Sequence, residues 1–289
     1  MKIKLGGQAV VEGVMMRSNN YISTAVRCEN GQIKKRTRKF NSLTETNKIA
    51  KLPIIRGLIM LFELMILGLK EISWSAENST NEEPLTKKEM ILTFLLSLVI
   101  VLSLFVLLPW FLANTITITS TPLGVNIVDG IIKIMLFTGY LLIISLLPDI
   151  KRLYQYHGAE HKTLACYESK RKLTPQNAKK FSRIHPRCGT TFIFIVFLIG
   201  ILIYLLIPQG TGFWGNYLWR ILLLPIIAGL AYEIIRLEAK YYNKSRIVRI
   251  LMWPGLQFQK LTTKEPSLKQ LDVAITSLNE CMRAETKKR

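Results

Sequence analysis

Long apolar runs alternate along the chain with polar segments rich in Lys and Arg. Four of the runs approach the length of about 20 residues that a helix needs to cross the hydrocarbon layer of a membrane. They cover about 90–113, 128–148, 190–207 and 217–235. This pattern predicts an α-helical polytopic membrane protein with about four transmembrane helices.

The distribution of basic residues orients the four runs. The connecting segments 114–127 and 208–216 contain no Lys or Arg. Basic residues concentrate in the other polar segments, which are 1–89, 149–189 and 236–289. Because basic segments tend to stay on the cytosolic side of a membrane, we expect a multi-pass protein of the cell membrane with both termini and the 149–189 loop in the cytosol.

A fifth apolar run, 52–69, contains the ionisable residues Arg56 and Glu63. If this run crossed the membrane, the basic loop that follows the second span would face outward. We therefore interpret it as an interfacial or re-entrant helix, followed by a polar connector. Lys133 and Arg220 lie inside predicted spans, and we expect them near the outer ends, where long basic side chains reach the membrane surface.

The polar segments carry local signals of their own. Asn30-Gly31 separates two strand-like runs, a strong hairpin signal, and predicts a small antiparallel sheet over about 6–40. A helix is expected around 150–168, and Thr174-Pro175 is typical of the start of another. Near the C-terminus a helical spacing links Leu268, Leu271, Ile275, Leu278 and Met282. That amphipathic helix should pack on another element, for which the N-terminal sheet is the candidate.

These assignments divide the chain into six segments. In chain order they are a cytosolic β-rich cap (1–50), the interfacial helix and connector (51–89), transmembrane helices one and two (90–148), a cytosolic His/Cys loop (149–189), transmembrane helices three and four (190–235) and a cytosolic tail with an amphipathic helix (236–289). The first residues lack the apolar core of a signal peptide. We therefore expect the first span to act as its own insertion signal.

Composition fits this architecture, since 49% hydrophobic residues are combined with a formal net charge of +20. We assign the charge to membrane topology and to attraction for anionic lipid of the bilayer. A nucleic-acid partner is not expected, because no recognition module accompanies the charge. The four cysteines show no CxxC spacing and fall in segments assigned to the cytosol, so structural disulfides are not expected.

The candidate chemistry lies in the histidines, of which the chain has only three: His157, His161 and His185. His157 and His161 are four residues apart and therefore share one face of a helix, near enough to bind one metal ion. With Glu160 they form the H-x-x-E-H pattern of an inverted zinc-hydrolase signature. Zinc is the expected metal, with another divalent ion as the alternative.

Two residues of the next segment are candidates to complete the site. His185 and Cys188 supply either a third ligand, or a third and a fourth. Four protein ligands make a closed structural site, whereas three leave a position for water and assign Glu160 as the general base. Cys188 as a simple reduced thiol and Glu160 as a partner of a surface Lys are the alternatives.

Two carboxylates near predicted spans are further candidates. Glu233 lies toward the inner end of the fourth span, where it is either a metal ligand, a partner of a ligand or the ion-pair partner of Arg236. Glu63 is a candidate to face the same cavity.

Five stretches of the chain carry a resemblance to a known family. They are 6–17 (GGQAVVEGVMMR), 52–57 (LPIIRG), 156–163 (YHGAEHKT), 185–192 (HPRCGTTF) and 254–266 (PGLQFQKLTTKEP). In these stretches the chain resembles the YqhQ family of bacterial multi-pass membrane proteins. Such proteins are described as predicted metal-dependent enzymes without an established substrate. The resemblance gives weight to His157, Glu160, His161, His185, Arg187 and Cys188, but it assigns no reaction.

The sequence therefore predicts a membrane-embedded metal-dependent hydrolase, with a protease as one form of it, acting at the cytosolic face. The alternative is a non-enzymatic membrane scaffold or assembly factor with a structural zinc site. Transport is disfavoured, because no span combines broken-helix signals with charged pairs at mid-depth. No feature predicts an oligomeric state or a substrate.

Overall fold

The computed structural model describes residues 5–80, 86–116, 121–186, 188–242 and 244–287. The N-terminal part is a four-stranded antiparallel sheet in the order β1-β2-β3-β4. Its strands are Gly6–Val10, Gly13–Arg17, Tyr21–Arg27 and Ile33–Lys39. Asn30 and Gly31 lie in the turn between β3 and β4, where the Gly31 N–H donates to the Cys28 carbonyl at 2.9 Å. The predicted hairpin and small sheet are confirmed.

Helices make up most of the rest. In chain order they are α1 (Leu43–Thr46), α2 (Ile55–Ser79), α3 (Lys87–Leu102), α4 (Leu108–Thr115), α5 (Pro122–Ile144), α6 (Pro148–Glu168), α7 (Pro175–Lys179), α8 (Gly189–Ile203), α9 (Gly212–Tyr241), α10 (Arg246–Thr262) and α11 (Leu268–Lys287). One π-helical turn, Ser103–Leu107, joins α3 to α4. The predicted starts of α6 and α7 are confirmed, and Thr174 caps α7 by accepting from the Asn177 N–H.

Within the described part of the chain, four helical segments are long and apolar enough to cross a membrane. They are Lys88–Thr115, Pro122–Ile144, Gly189–Leu206 and Gly212–Glu238. The second differs most from its predicted bounds of 128–148, because Thr121 caps α5 and Pro122 occupies its first turn. Pro148, expected as the end of that span, instead begins α6.

The helix expected over 52–69 extends to Ser79, into the segment expected as a polar connector. Two polar residues of this helix, Glu71 and Ser75, form hydrogen bonds with the N-terminal sheet region. Glu71 is fully buried, accepts from the Thr24 hydroxyl at 2.6 Å and pairs with Arg36 at 3.0 Å and with Arg38. Burial of this paired carboxylate holds α2 against the sheet.

The sheet has an apolar cluster on each face. Side chains alternate between faces along a strand, so Met15 and Ile22 pack toward Leu67 of α2, whereas Val14 and Ala25 pack toward α6 and α11. The prediction that the C-terminal amphipathic helix packs on the sheet is confirmed. The sheet, α6 and α11 therefore pack together around a shared apolar cluster.

Lys133 and Arg220 do not reach a surface, and the expectation that they lie near exposed ends is wrong. Both are at most 5% exposed, and both donate to Oδ2 of Asp129, at 2.5 Å and 2.7 Å. Arg220 also donates to Asn126 at 2.7 Å. The buried Asp129 carboxylate compensates both charges: it lies one turn before Lys133 on α5 and faces Arg220 of α9. One ion pair, between Asp129 and Arg220, therefore joins α5 to α9, which bears on one of the two features whose absence disfavoured transport.

The sequence did not predict α10. Pro254 and Gly255 lie inside this helix, and both residue types usually indicate a turn or the end of a helix. One face of α10, with Met252, Gly255 and Leu256, is buried, and the helix packs mainly on α8. Its last turn reaches α6, which brings it into the candidate site.

Candidate metal centre

The H-x-x-E-H motif lies within α6, which is continuous from Pro148 to Glu168. The rings of His157 and His161 lie side by side, with centroids 4.5 Å apart. Gly158 between them permits a close contact, because a Cβ at this position would lie 2.2 Å from the Lys264 carbonyl oxygen. The glycine that weakens the helical propensity of the motif is thus needed for the packing of the segment after α10.

Cys188 reaches the same point from another element. It is the N-cap residue of α8, and its Sγ lies 3.4 Å from Nε2 of His157. The potential ligand atoms of His157, His161 and Cys188 all lie within 4.8 Å of one another. We call these three residues the His/Cys group.

Backbone carbonyls fix the tautomer of both histidines. Nδ1 of His157 lies 2.9 Å from the Thr262 oxygen, and Nδ1 of His161 lies 2.5 Å from the Arg183 oxygen. A carbonyl oxygen only accepts, so each Nδ1 carries the hydrogen and each neutral ring keeps its lone pair on Nε2. An N–H held by a carbonyl, with the opposite nitrogen free to coordinate, is the arrangement common to metal-binding histidines.

The protonation of His161 follows from its surroundings. Burial lowers the pKa of His161, and its contact with the Cys188 thiol partly opposes that effect. The neutral form, which is the one that binds a metal, is therefore favoured near neutral pH.

Glu160 is buried beside the His/Cys group and does not belong to it. Its Oε2 lies 3.9 Å from Nε2 of His161, and it forms no hydrogen bond with any residue that the structure describes. Gly7 of β1 packs on it so closely that a Cβ there would lie 2.7 Å from Cγ of Glu160. Burial raises the pKa of Glu160, while His157 and His185 lower it. The alternative that Glu160 pairs with a surface Lys is wrong.

His185 lies next to the His/Cys group. Its ring centroid is 5.8 Å from that of His161, and its Nε2 lies 3.4 Å from Oε2 of Glu168. The Gln259 side chain holds the backbone of His185 from both sides: it accepts from the His185 N–H and donates to the His185 carbonyl, each at 2.9 Å. Arg187, which the resemblance also emphasises, lies outside the described residues.

The two further carboxylates are engaged elsewhere. Glu233 accepts from Nε of Arg56 at 2.6 Å and forms a two-point ion pair with that guanidinium, so Arg236 is not its principal partner. Glu63 accepts from the Ser42 hydroxyl and from the Leu43 N–H, both at 2.6 Å. Neither residue joins the His/Cys group, which corrects the expectation for both.

The end of α10 supplies supporting residues that the sequence did not identify by role. The Thr262 hydroxyl lies 3.0 Å from that of Thr190, which lies 3.4 Å from Sγ of Cys188. The Thr263 carbonyl accepts from Arg183 at 2.6 Å. The Gln- and Thr-rich stretch 257–263 at the end of this helix is the signal that could have identified them.

Comparisons with known proteins agree on a single family. Residues 52–284 match the family described as "Protein of unknown function (DUF1385)". The chain is 38% identical over 298 residues to "Uncharacterized protein YqhQ" of Bacillus subtilis (strain 168). The matching region covers 97% of this chain and 92% of that protein. No solved structure matches the chain.

Proposed function

The chain belongs to the YqhQ family of DUF1385 proteins, and we propose that it is a membrane-embedded, metal-dependent hydrolase. One observation carries this proposal. Two histidines and a cysteine bring their ligand atoms within 4.8 Å of one another, beside a buried carboxylate that has no hydrogen bond to any described residue. Such a set can bind an ion and position a base next to it.

The membrane part of the proposal rests on the four apolar helices. The contacts of the sheet with both α6 and α11 support a placement of the N-terminal segment, the 149–189 segment and the C-terminal helix on one side of a bilayer. An even number of crossings fits that placement. Segments 114–127 and 208–216, which lack Lys and Arg, belong to the opposite, outer side.

The donor set fits zinc. Imidazole nitrogen and thiolate sulfur are its usual ligands, and catalytic sites hold it with three protein ligands. When bound, zinc would supply a Lewis acid that lowers the pKa of a coordinated water toward about 7. Thr262 and Arg183 orient the two imidazoles through their carbonyl oxygens, and Gly7 and α6 keep Glu160 in place.

Glu160 is the candidate general base. It stands within 4 Å of His161 Nε2, at 3.9 Å, and faces His157 and His185 rather than a lysine. A carboxylate in this position can accept a proton from water and return it to a leaving group. A protease is one form of such a hydrolase.

One observation favours a second candidate, a scaffold with a structural zinc ion. Two members of the His/Cys group, His161 and Cys188, are only 2% and 5% exposed. A buried ligand set is also what a structural site requires. In that case Glu160 has no chemical role.

The first experiment measures metal. The purified full-length chain should retain about one zinc ion, and His157→Ala/His161→Ala should lose it. His185→Ala is the matched control, because this third histidine lies outside the His/Cys group. Binding should weaken as the pH falls through about 6.5, since the ligands must be deprotonated. Stoichiometric zinc in the double variant would refute the site.

The second experiment separates the enzyme from the scaffold. Glu160→Gln is nearly isosteric but cannot accept a proton, so in-cell activity should fall by roughly 10²–10⁴-fold while zinc and expression stay normal. Glu168→Gln, two turns along α6, is the matched control. The assay is complementation of a deletion strain at equal protein level. Full complementation by Glu160→Gln with normal zinc would reject the hydrolase and support the scaffold.

A further inference from the structure

An exposed groove on α10 combines two arginines with apolar side chains. It is lined by Arg246, Arg249, Ile250 and Trp253, and we call it the α10 groove. These residues are spaced by three and four positions, so they form one continuous patch on the helix surface. Ile250 and Trp253 are 62% and 61% exposed. The patch lies opposite the face that packs on α8.

The two arginines have no anionic partner within the part of the chain that the structure describes. Both are exposed, and neither forms an ion pair with a described carboxylate. Like charges three positions apart on a helix repel each other. An anion shared between two guanidinium groups removes that repulsion, and phosphate matches their planar donors.

The exposed side chains next to the groove are apolar. Ile247 and Leu251 flank the groove and are 70% and 66% exposed. Trp253 is the type of residue that is enriched where a membrane meets water. Over its first half, α10 thus exposes apolar side chains beside the two arginines, and Lys260 in the last turn is the other exposed charge of the helix.

The position of α10 fits a membrane boundary. It begins after the short turn that follows Tyr241, the last residue of α9, and Ser245 caps it. Its far half contacts the apolar helices, with the Phe258 ring 6.0 Å from Phe137 and 5.6 Å from Phe194. The arginines therefore lie at the end of an apolar span, next to apolar surface.

We propose that the α10 groove binds the phosphate headgroup of an anionic phospholipid, whose acyl chains lie along the exposed isoleucine and leucine side chains. This inference rests on the membrane placement proposed above and is independent of the metal and of hydrolysis. Arg246 and Arg249 hold the phosphate, and Trp253 closes the groove toward the interface. Free phosphate also carries negative charge, but it has no apolar part that could contact Ile247 and Leu251.

The test uses the full-length protein in neutral detergent with two fluorescent phospholipids that share acyl chains but carry phosphatidylglycerol or phosphatidylcholine headgroups. Phosphatidylglycerol should bind about tenfold more tightly, and Arg246→Gln/Arg249→Gln should remove that difference. Lys240→Gln/Lys244→Gln is the matched control, because it removes two exposed basic residues nearby that lie outside the groove. It should keep the preference.

Three results would overturn the proposal: an unchanged preference in the arginine variant, an equal loss in the lysine control, or displacement of the lipid by millimolar inorganic phosphate. Quenching of Trp253 by brominated phosphatidylglycerol, identified by its loss in Trp253→Phe, provides a second measurement in the folded wild-type protein. Membrane fractionation tests the placement separately, and unchanged zinc in the arginine variant separates this inference from the metal site.

Discussion

Replacing Gly158 by alanine should damage the candidate site through packing alone. The new Cβ would lie 2.2 Å from the Lys264 carbonyl oxygen, where ordinary contacts begin at 3.4 Å. Because the obstacle is backbone, no side-chain rotation relieves the clash. Either α6 or the segment 262–264 must move by about 1 Å.

The magnitude follows from what holds that segment. The Lys264 N–H donates to the Tyr154 carbonyl at 2.9 Å, Arg183 donates to the Thr263 carbonyl at 2.6 Å, and His157 donates to the Thr262 carbonyl at 2.9 Å. Losing two or three such bonds costs about 1 kcal/mol each, and somewhat more for the guanidinium. Alanine regains about 1 kcal/mol of helix propensity. We expect a net loss of about 2 kcal/mol.

The matched control is Gly139→Ala, at a helical glycine of α5 whose added Cβ would meet nothing within 4 Å. It should be neutral or stabilising by up to about 1 kcal/mol. Denaturant unfolding in detergent measures both changes, and zinc content should fall in Gly158→Ala only, because His157 loses its carbonyl partner. Equal stability of the two variants with full zinc would refute the packing account.

Three further outcomes test separate parts of the structure. Asp129→Asn leaves Lys133 and Arg220 buried without an anion and should lower the free energy of unfolding by about 3–5 kcal/mol. The control Asp272→Asn removes an exposed ion pair with Arg27 and should lower it by less than about 1 kcal/mol in the same unfolding assay. In a Cys-free background, an impermeant thiol reagent outside the cell should label Gln209→Cys and not Lys172→Cys; the reverse pattern would overturn the topology. In metal-free protein, burial raises the pKa of Glu160 above its ordinary 4.5, so its contribution to stability is present below that pH and is lost as the pH rises through the higher folded value. Glu160→Gln should therefore gain stability over wild type as the pH rises, and a difference that is independent of pH would contradict this.

The elements that could be predicted are those with local causes. The length of the four apolar stretches predicts helices that can span a membrane, and Asn30-Gly31 predicts the hairpin because Asn-Gly favours a tight turn. The pairing of His157 with His161 needs only the helical repeat. Each of these depends on residues within about 25 positions of one another.

The elements that were missed depend on distant contacts. From the sequence alone, Arg220 is expected to extend toward the membrane surface. The structure instead pairs it with Asp129 of another helix, and hydrophobic periodicity does not predict which residues of two helices face each other. α10 was not predicted because Pro254 lies inside it, and proline usually ends a helix. Packing on α8 stabilises this helix despite the proline. The distance between His185 and His157 depends on the conformation of the loop before α8. Gln259, 74 residues further along the chain, holds that loop by accepting a hydrogen bond from the His185 N–H.

The environment of Glu160 bears on the choice between enzyme and scaffold. A structural zinc ion needs its ligands and their carbonyl partners, and it gains nothing from a carboxylate buried without a hydrogen bond among the described residues. Burying such a group costs free energy, yet Gly7 encloses it with no room for a Cβ. A neutral residue of the same shape would stabilise this fold. Under the proposed hydrolase function the carboxylate is retained because it accepts a proton, and that proposal predicts a rise in stability together with a loss of function in Glu160→Gln.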